Sequence, residues 1–383
     1  MVDLDQRYMQ MALRLAQRGI GSVEPNPAVG CVIVKANQII GKGWHRKFGE
    51  AHAEVNALED CKDLGISPRG ATMYVTLEPC CHQGKTGPCT KSIIEAGLGK
   101  VVVATIDPSQ HANGKGVAEL QQGGIEVTVG LCQTQARLLN APFIKYAATG
   151  RCWVTLKWTQ TIDGRVSWAG QPAAPGDQRC WISNELSRKD AHGLRRRAGA
   201  ILVGINTVIA DDPLLTPRPS RGKSPIRVVL DSHLRIPLGC RLLRTARKIP
   251  VLIVASEAAL RAEAGKAARI SKKGAELLGY PSMGRSDLRF VLEQLSLRGI
   301  SHLVVEGGPT VLASFLKEQL ADEVCVYIAP RILGRNGGAD VTAALAELSE
   351  VVDLRHVRID PIGEDICLRG LTQKALGEIS VTQ

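Results

Sequence analysis

"AHAEVNAL" (Ala51–Leu58) and "TLEPCCHQGKTGPC" (Thr76–Cys89) decide how the first half of this chain is read. In "AHAEVNALEDCKDL", Val55, Leu58, Cys61 and Leu64 recur at helical spacing, which puts His52 and Glu54 two residues apart at a helix start. "ATMYVTLEPC" is a β-rich run that stops at Pro79, and "CTKSIIEAGLGK" reads as a helix that begins at Cys89 and ends near Gly97. One imidazole, one carboxylate and two thiols are thus delivered at the ends of regular elements. A catalytic zinc takes three protein ligands and keeps a fourth position for solvent. The expected ligands are His52, Cys80 and Cys89, with the dipole of the helix that opens at Cys89 favouring its thiolate.

Cys81 and His82 are the rival donors. With either as fourth ligand the site would be a closed structural zinc. Glu54 weighs against that reading, because a carboxylate beside a ligand histidine is superfluous in a structural knot. In a deaminase it carries a proton between solvent and a departing amine. His-x-Glu followed by Pro-Cys is the signature of zinc-dependent base deaminases, where the second cysteine normally comes three residues after the first. Here eight residues separate Cys80 from Cys89, so "CHQGKTGP" must bulge out between them.

Working outward, "AVGCVIVKANQIIGKGWH" reads as two strands about a turn at Ala36–Asn37, "VVVATIDP" as a strand buried on both faces, and "VAELQQGGIEVTVG" as a helix and a strand. Alternating strands and helices imply an α/β sandwich over residues 1–147. The small, polar "YAATGRC" marks a boundary, and a second α/β domain is expected over residues 148–383. Its strands are "WVTLKWTQTIDGR", "AGAILVGIN", "PIRVVLDS", "VLIVAS", "SHLVVEGG" and "EVCVYIAP". "NELSRKDAHGLRRRAG" and "GPTVLASFLKEQL" supply helices between them, and "AGQPAAPGDQRC" is a loop. No G-x-G-x-x-G follows a first strand, so a Rossmann domain is not supported. Instead "VVEGGPTVLASF" joins an apolar strand to a helix through two glycines and a proline, an arrangement suited to an approaching phosphate.

The N-terminal segment carries Asp3 and Asp5 where a signal peptide would be basic, and no run approaches the roughly 18 apolar residues of a membrane span. Eleven cysteines without an export signal fit reduced thiols, so a cytoplasmic protein with no membrane partner is expected. The net charge of +11 favours an anionic partner, either nucleic acid or a phosphorylated metabolite. Aromatics at 4% are too few for a set of base-stacking platforms, which selects the small molecule. A nucleic-acid base deaminase is the competing expectation that the charge suggests.

"PNPAVGCVIVK", "HAEVNAL", "YVTLEPCCHQGKTGPC" and "IDP" resemble the deaminase half of the bacterial bifunctional deaminase/reductases of riboflavin biosynthesis. "LKWTQTIDGR", "GINTVIADDPLLTPR", "IRVVLDS", "VEGGPT" and "VYIAPRILG" resemble the reductase half, in order along nearly the whole chain. The resemblance implies a cytidine-deaminase-like three-layer α/β/α domain followed by a dihydrofolate-reductase-like α/β domain. It also implies two consecutive reactions. A phosphoribosylaminopyrimidine loses its C2 amino group with Zn2+, and NADPH then reduces the ribosyl side chain to ribityl.

By the same resemblance Asn26, His45, Lys85 and Asp107 contact the deaminase substrate. Trp181, Thr207, Asp211, Ser232 and the run Gly308, Pro309, Thr310, Val311, Leu312, Ala313 and Ser314 hold the cofactor. Arg195, Leu215, Arg218 and Glu306 contact the reductase substrate, and Lys157 is the candidate group that polarises the carbon receiving hydride. Arginine forks suit phosphate oxygens, which supports Arg195 and Arg218 independently. A homo-oligomer joined through the reductase halves is likewise implied. Three departures stand out. Cys81 occupies a position where the family more often has a small non-thiol residue. "GKTGPC" replaces the commoner "GRTPPC". Between Gly170 and Trp181 the chain is longer than the family's Gly-x-Ser-x-Trp-Ile, with Arg179 where a substrate-contacting serine is usual. A deaminase with an impaired reductase half is the alternative that this loop raises.

Overall fold

The structure is a computed structural model that describes residues 4–83, 87–170, 181–219, 224–281, 287–346 and 348–380. Lys85, Arg179 and the 171–180 loop lie outside the described residues. The chain divides into two compact units, one formed by Met1–Gly150 with the segment that starts at Ile379, the other by Arg151–Glu378.

The first unit begins with α1 (Leu4–Gln17), then β1 (Gly30–Lys35), β2 (Gln38–Trp44), α2 (Ala53–Asp63), β3 (Thr72–Val75), α3 (Cys89–Glu95) and β4 (Lys100–Val103). It continues with α4 (Lys115–Gln122), β5 (Glu126–Val129), α5 (Gln133–Leu139) and α6 (Ala141–Thr149). The sheet order is β2-β1-β3-β4-β5. β1 runs antiparallel to both its neighbours, and β3, β4 and β5 are parallel. Ala36 and Asn37 have φ of 49° and 61°, the left-handed pair that a tight two-residue hairpin turn requires. Residues alternate between two cores: Ile33, Val75 and Val103 pack with Ala57, Ile93 and Leu120 of α2, α3 and α4. Val32, Tyr74 and Val102 pack with Met9, Ala12 and Ala136 of α1 and α5. Three layers result.

The buried face of α2 differs from the face its larger apolar residues suggest. Ala53, Ala57 and Cys61 are fully buried, Val55 and Leu58 only partly, and Leu64 is exposed. The cause lies in β2. A Cβ on Gly43 would stand 2.1 Å from the Ala53 carbonyl oxygen, and one on Gly41 would stand 2.4 Å from that of Ala57. Two glycines and two alanines thus let the helix backbone rest directly on the strand, and that contact excludes larger side chains. Near the other end of the unit, Arg137 donates through Nε to Thr105 Oγ1 (3.1 Å) and through Nη1 to the carbonyls of Ile379 (2.9 Å) and Ser380 (2.8 Å).

The second unit starts with β6 (Trp153–Thr161), α7 (Glu185–Arg197), β7 (Ala200–Gly204), α8 (Ile205–Asp211), β8 (Ile226–Leu230), α9 (Arg241–Arg244) and β9 (Val251–Ser256). After α10 (Glu257–Ala262), α11 (Ala264–Lys272), β10 (Glu276–Tyr280) and α12 (Leu288–Leu297) come β11 (His302–Val305), α13 (Pro309–Lys317) and β12 (Glu323–Ala329). α14 (Val341–Leu345), β13 (Leu354–Ile362), β14 (Asp365–Thr372) and α15 (Gln373–Glu378) complete it. The sheet order is β10-β9-β8-β7-β11-β6-β12-β14-β13. The strands from β10 to β12 are parallel, and β14 pairs antiparallel with β12 and β13. Ile201 and Val203 of β7 face the core with α7, while Ala200 and Leu202 face the opposite core with α12 and α13. Covering both faces is what makes these central strands read as unbroken apolar runs. β10, β13 and β14 have no such signature. β13 is the edge strand and is exposed along most of its length. No helix among the described residues is long and apolar enough to cross a membrane.

His302 at the head of β11 is buried, with Nε2 2.9 Å from Thr155 Oγ1. Burial first, and then the charge of Arg197, hold its pKa down to about 4, so the ring is neutral in the folded protein. An unfolded chain would take up that proton at about pH 6.5. His302 therefore contributes stability above about pH 6.5 that is lost as pH falls toward 4. Urea midpoints measured from pH 7 to 4.5 will fall, and the fall will be shallower in His302→Gln. Equal slopes in the two proteins would contradict this account.

Candidate functional site

His52 occupies the N-cap of α2, where extended backbone (φ −75°, ψ 168°) precedes the first turn. Asn56 fixes this start by donating Nδ2–H to the carbonyls of Trp44 (2.9 Å) and Ala51 (3.2 Å). Cys80 follows β3 and Pro79, and Cys89 is the first residue of α3. His52 Nδ1 lies 3.4 Å from Cys80 Sγ and 3.3 Å from Cys89 Sγ. Among the described residues these three form the one group of histidine, cysteine or carboxylate donors close enough to share an ion, their ligand atoms all within 4.8 Å of one another. A tetrahedral zinc with Zn–N of about 2.0 Å and Zn–S of about 2.3 Å sets N and S about 3.5 Å apart. The donor set and its spacing fit zinc.

Cys81 turns away from this group, its Sγ 3.8 Å from the His111 carbonyl, and the His82 ring lies 5.7 Å from that of His111. The two converging sulfurs share a hydrogen bond that lowers one thiol and raises the other. Cys80 is drawn down to about 4, chiefly by the hydrogen bond from the Cys89 thiol, against burial and with help from His52 and the Cys89 N–H. Cys89 is pushed up by that same shared proton and by burial. The helix-start N–H of Cys89 points at Cys80 Sγ (3.4 Å), so the α3 terminus assists the neighbouring sulfur.

Glu54, in the first turn of α2, is 3% exposed. Burial first, and then the Cys80 charge, raise its carboxyl to about 7. The His45 and His52 rings meet edge to face with centroids 5.3 Å apart. His45 Nδ1 donates to the Ala51 carbonyl (3.1 Å), which leaves Nε2 to accept from Asn26 Nδ2 (3.3 Å). Burial holds this ring below its usual pKa and hence neutral. Asn26, His45 and His52 therefore form one connected wall. Asp107, beyond β4, accepts from Ser109 N (2.8 Å) at Oδ1, and its own N–H is held by Glu78 Oε2 (3.2 Å). Glu78 carried no signal in the sequence beyond standing beside Pro79-Cys80.

In the second unit, Leu156 of β6 pairs with Val305 of β11, which sets Lys157 and Glu306 side by side as the next residues. Glu306 holds Arg195 of α7 through two hydrogen bonds, Nε to Oε1 at 2.7 Å and Nη2 to Oε2 at 2.6 Å. Burial raises the Glu306 carboxyl, but Arg195, and after it Lys157 and His192, outweigh that and bring it to about 2. Arg195 Nη1 also reaches the Thr216 carbonyl (3.4 Å), tying α7 to the loop that carries Leu215 and Arg218. Leu215 is buried with φ 53°. His192, missed in the sequence, belongs to the same cluster. Burial, then Arg195 and Arg218, hold it at about 4. The Lys157 ammonium sits 5.5 Å from the Tyr327 ring centroid, and the Tyr327 hydroxyl donates to Asp190 (2.6 Å), which also pairs with Arg369.

Of the expected cofactor residues, Thr207, Asp211, Ser232 and the Gly308–Ser314 run follow the carboxyl ends of β7, β8 and β11, where parallel α/β sheets commonly bind ligands, and Trp181 lies apart beside Arg188 and Arg331. Gly308 is the N-cap of α13, and a Cβ on it would lie 3.8 Å from Thr207 Oγ1 of α8. The α8 start after β7 and the α13 start after β11 therefore adjoin. Asp211 closes α8, and Ser232 follows β8 with its carbonyl bound by Ser256. Val311 and Leu312 return their N–H groups to the Gly308 carbonyl, and the Leu312 side chain is in the core. Within the run from Gly308 to Ser314, including Pro309, Thr310 and Ala313, the helix mouth is thus the part open to a phosphate. Trp181 is half exposed beneath the Arg188 guanidinium, 4.9 Å from its ring centroid.

The chain matches two family models, the cytidine and deoxycytidylate deaminase zinc-binding region over residues 2–105 and the RibD C-terminal domain over residues 152–368. It is 42% identical to the riboflavin biosynthesis protein RibD of Aquifex aeolicus, across 96% of this chain and 98% of that one. The Escherichia coli RibD is 37% identical across 95% and 98%. Among solved structures, Acinetobacter baumannii RibD superposes with a TM-score of 0.79 at 37% identity, covering 97% of this chain and 99% of that one. A diaminohydroxyphosphoribosylaminopyrimidine deaminase/5-amino-6-(5-phosphoribosylamino)uracil reductase from Thermotoga maritima gives 0.79 at 33%, covering 96% and 99%.

The donor geometry makes a direct prediction for metal content. Cys80→Ser and Cys89→Ser will each purify without stoichiometric zinc, and Cys81→Ser will retain it, as read by atomic emission. Full zinc in Cys89→Ser, or its loss from Cys81→Ser, would move the metal to another donor set.

Proposed function

The chain belongs to the RibD family of two-domain deaminase/reductases of riboflavin biosynthesis, and from that premise we propose how its own residues divide the work. The first half deaminates 2,5-diamino-6-(5-phosphoribosylamino)pyrimidin-4(3H)-one to 5-amino-6-(5-phosphoribosylamino)uracil. The second half uses NADPH to reduce the ribosyl side chain of that product to ribityl. The observation that carries the deaminase assignment is the meeting of His52 Nδ1 with two cysteine sulfurs at 3.3–3.4 Å beside the buried Glu54.

His52, Cys80 and Cys89 would hold zinc, whose chemistry when bound is to acidify water and so supply a nucleophile at neutral pH. Glu54 accepts the proton that the attacking water loses and hands it to the C2 amine as that amine departs. Asn26, kept in orientation by His45 Nε2, offers its amide to the pyrimidine edge. His45, being neutral, adds no positive charge that would oppose protonation of the departing amine. Lys85 and Asp107 are assigned to the phosphoribosyl part and the base.

In the reductase half, Glu306 spans Arg195 and the neighbourhood of Lys157, so two cations share one buried carboxylate. Arg195 is committed to Glu306 by two of its nitrogens. Arg218 is accordingly assigned as the principal phosphate contact, with Arg195 shaping the loop around it. Lys157, over the Tyr327 ring, presents a cation toward the sugar carbon that receives hydride. Thr207, Asp211, Ser232, Trp181 and the Gly308–Thr310 turn frame NADPH. We place the enzyme in the cytoplasm, because NADPH and metal-ready thiols at Cys80 and Cys89 both call for a reducing compartment.

Purified protein given the diaminopyrimidine ribotide will yield the uracil alone without NADPH and the ribityl product with it, identified by mass. Glu54→Gln will lower deamination about 10²–10⁴-fold, the usual worth of a proton-transfer group, with zinc retained. It will still oxidise NADPH when supplied with the uracil. Undiminished deamination by Glu54→Gln would remove the proton carrier from the scheme.

A further inference from the structure

Glu78 stands two residues before Cys80 and is 4% exposed. Its carboxylate accepts four backbone N–H groups. Oε1 takes those of Gly116 (2.8 Å) and Val117 (3.2 Å), and Oε2 takes those of Gly114 (3.0 Å) and Asp107 (3.2 Å). Gly116 and Val117 are the second and third residues of α4, whose N–H groups a side chain at the N-cap would ordinarily serve. The N-cap is Gly114, which has no side chain to offer and adopts φ 89°. Glu78 therefore caps α4 from the segment that follows β3. The approach is close, since a Cβ on Gly116 would lie 2.1 Å from the Pro79 carbonyl oxygen. One carboxylate thus fastens residues 107–117 to the short segment that delivers Cys80.

We propose that Glu78 is a positioning residue for deamination, setting Asp107 in register with the Cys80 side of the metal centre. The inference rests on the assignment of Asp107 as a substrate contact. The physical reason is that Asp107 has no element of its own to hold it. It follows β4 in a loop, and its fixed points are the Glu78 bond to its N–H and the local bonds from Ser109 N and Asn113 N. Glutamine at position 78 would keep the shape and lose half of the acceptor capacity. Its NH2 group would face a pair of N–H donors, a contact that repels where the carboxylate attracted.

The test uses the full-length zinc enzyme and compares Glu78→Gln, Asp107→Asn and the double variant. In each, zinc content, deamination KM and kcat, and NADPH oxidation with the uracil product are measured. For Glu78→Gln the expected result is a KM for the ribotide raised roughly ten- to a hundredfold, the loss equivalent to one or two bonds to a charged group. kcat should change far less, with zinc and reductase activity retained. The double variant should be no worse in KM than the weaker single one, because both changes disable the same contact. A wild-type KM in Glu78→Gln, loss of its zinc, or additive effects in the double variant would overturn the proposal. Where Glu78→Gln does not fold, Glu78→Asp, which keeps the charge and shortens the reach, is read by the same criteria. Failure of the wild-type enzyme to deaminate the ribotide would instead overturn the functional assignment beneath it.

Discussion

The close seating of α2 on β2 governs the first catalytic centre. Because Gly41 and Gly43 place no side chain between strand and helix, the α2 backbone rests on the sheet at Ala53 and Ala57. His52 then leaves the helix at its N-cap, and Glu54 enters the interior two residues later. Both depend on a contact that tolerates no added atom. The two sulfurs arrive from the other side, one after Pro79 and one at the head of α3, so the donors meet only where three separately anchored backbone segments converge.

The second centre is organised by charge rather than by backbone contact. Glu306 is a buried carboxylate whose ionisation depends on Arg195, and removing one partner of such a pair typically costs about 3–5 kcal/mol because the other is left uncompensated. The pair also connects α7 to the loop through the Thr216 carbonyl, so the geometry offered to an anionic substrate and the stability of this face have a common origin. Lys157 and Tyr327 extend the same face across β6 and β12.

Much of this was legible in the residues. The Ala36–Asn37 turn, the apolar central strands and the positions of His52, Cys80 and Cys89 at element ends follow from local pattern, because burial on both faces and turn geometry leave direct marks on sequence. Other features leave none. β13 lies at the edge of the second sheet with Arg355, His356 and Arg358 in solvent, so "LRHVRIDPI" shows no apolar run. The buried face of α2 was misplaced because small residues decide it, and a hydrophobic pattern ranks Ala53 and Ala57 below Val55 and Leu58. Glu78 and His192 act through partners distant in sequence, so no spacing announces them.

The hold of Arg137 on the carbonyls of Ile379 and Ser380 has a topological consequence. Ile379 and Ser380 thereby pack with residues 1–150 in one compact unit, although they lie more than 220 positions further along the chain. A cut after Gly150 would leave a guanidinium stripped of two acceptors and a deaminase missing its closing piece.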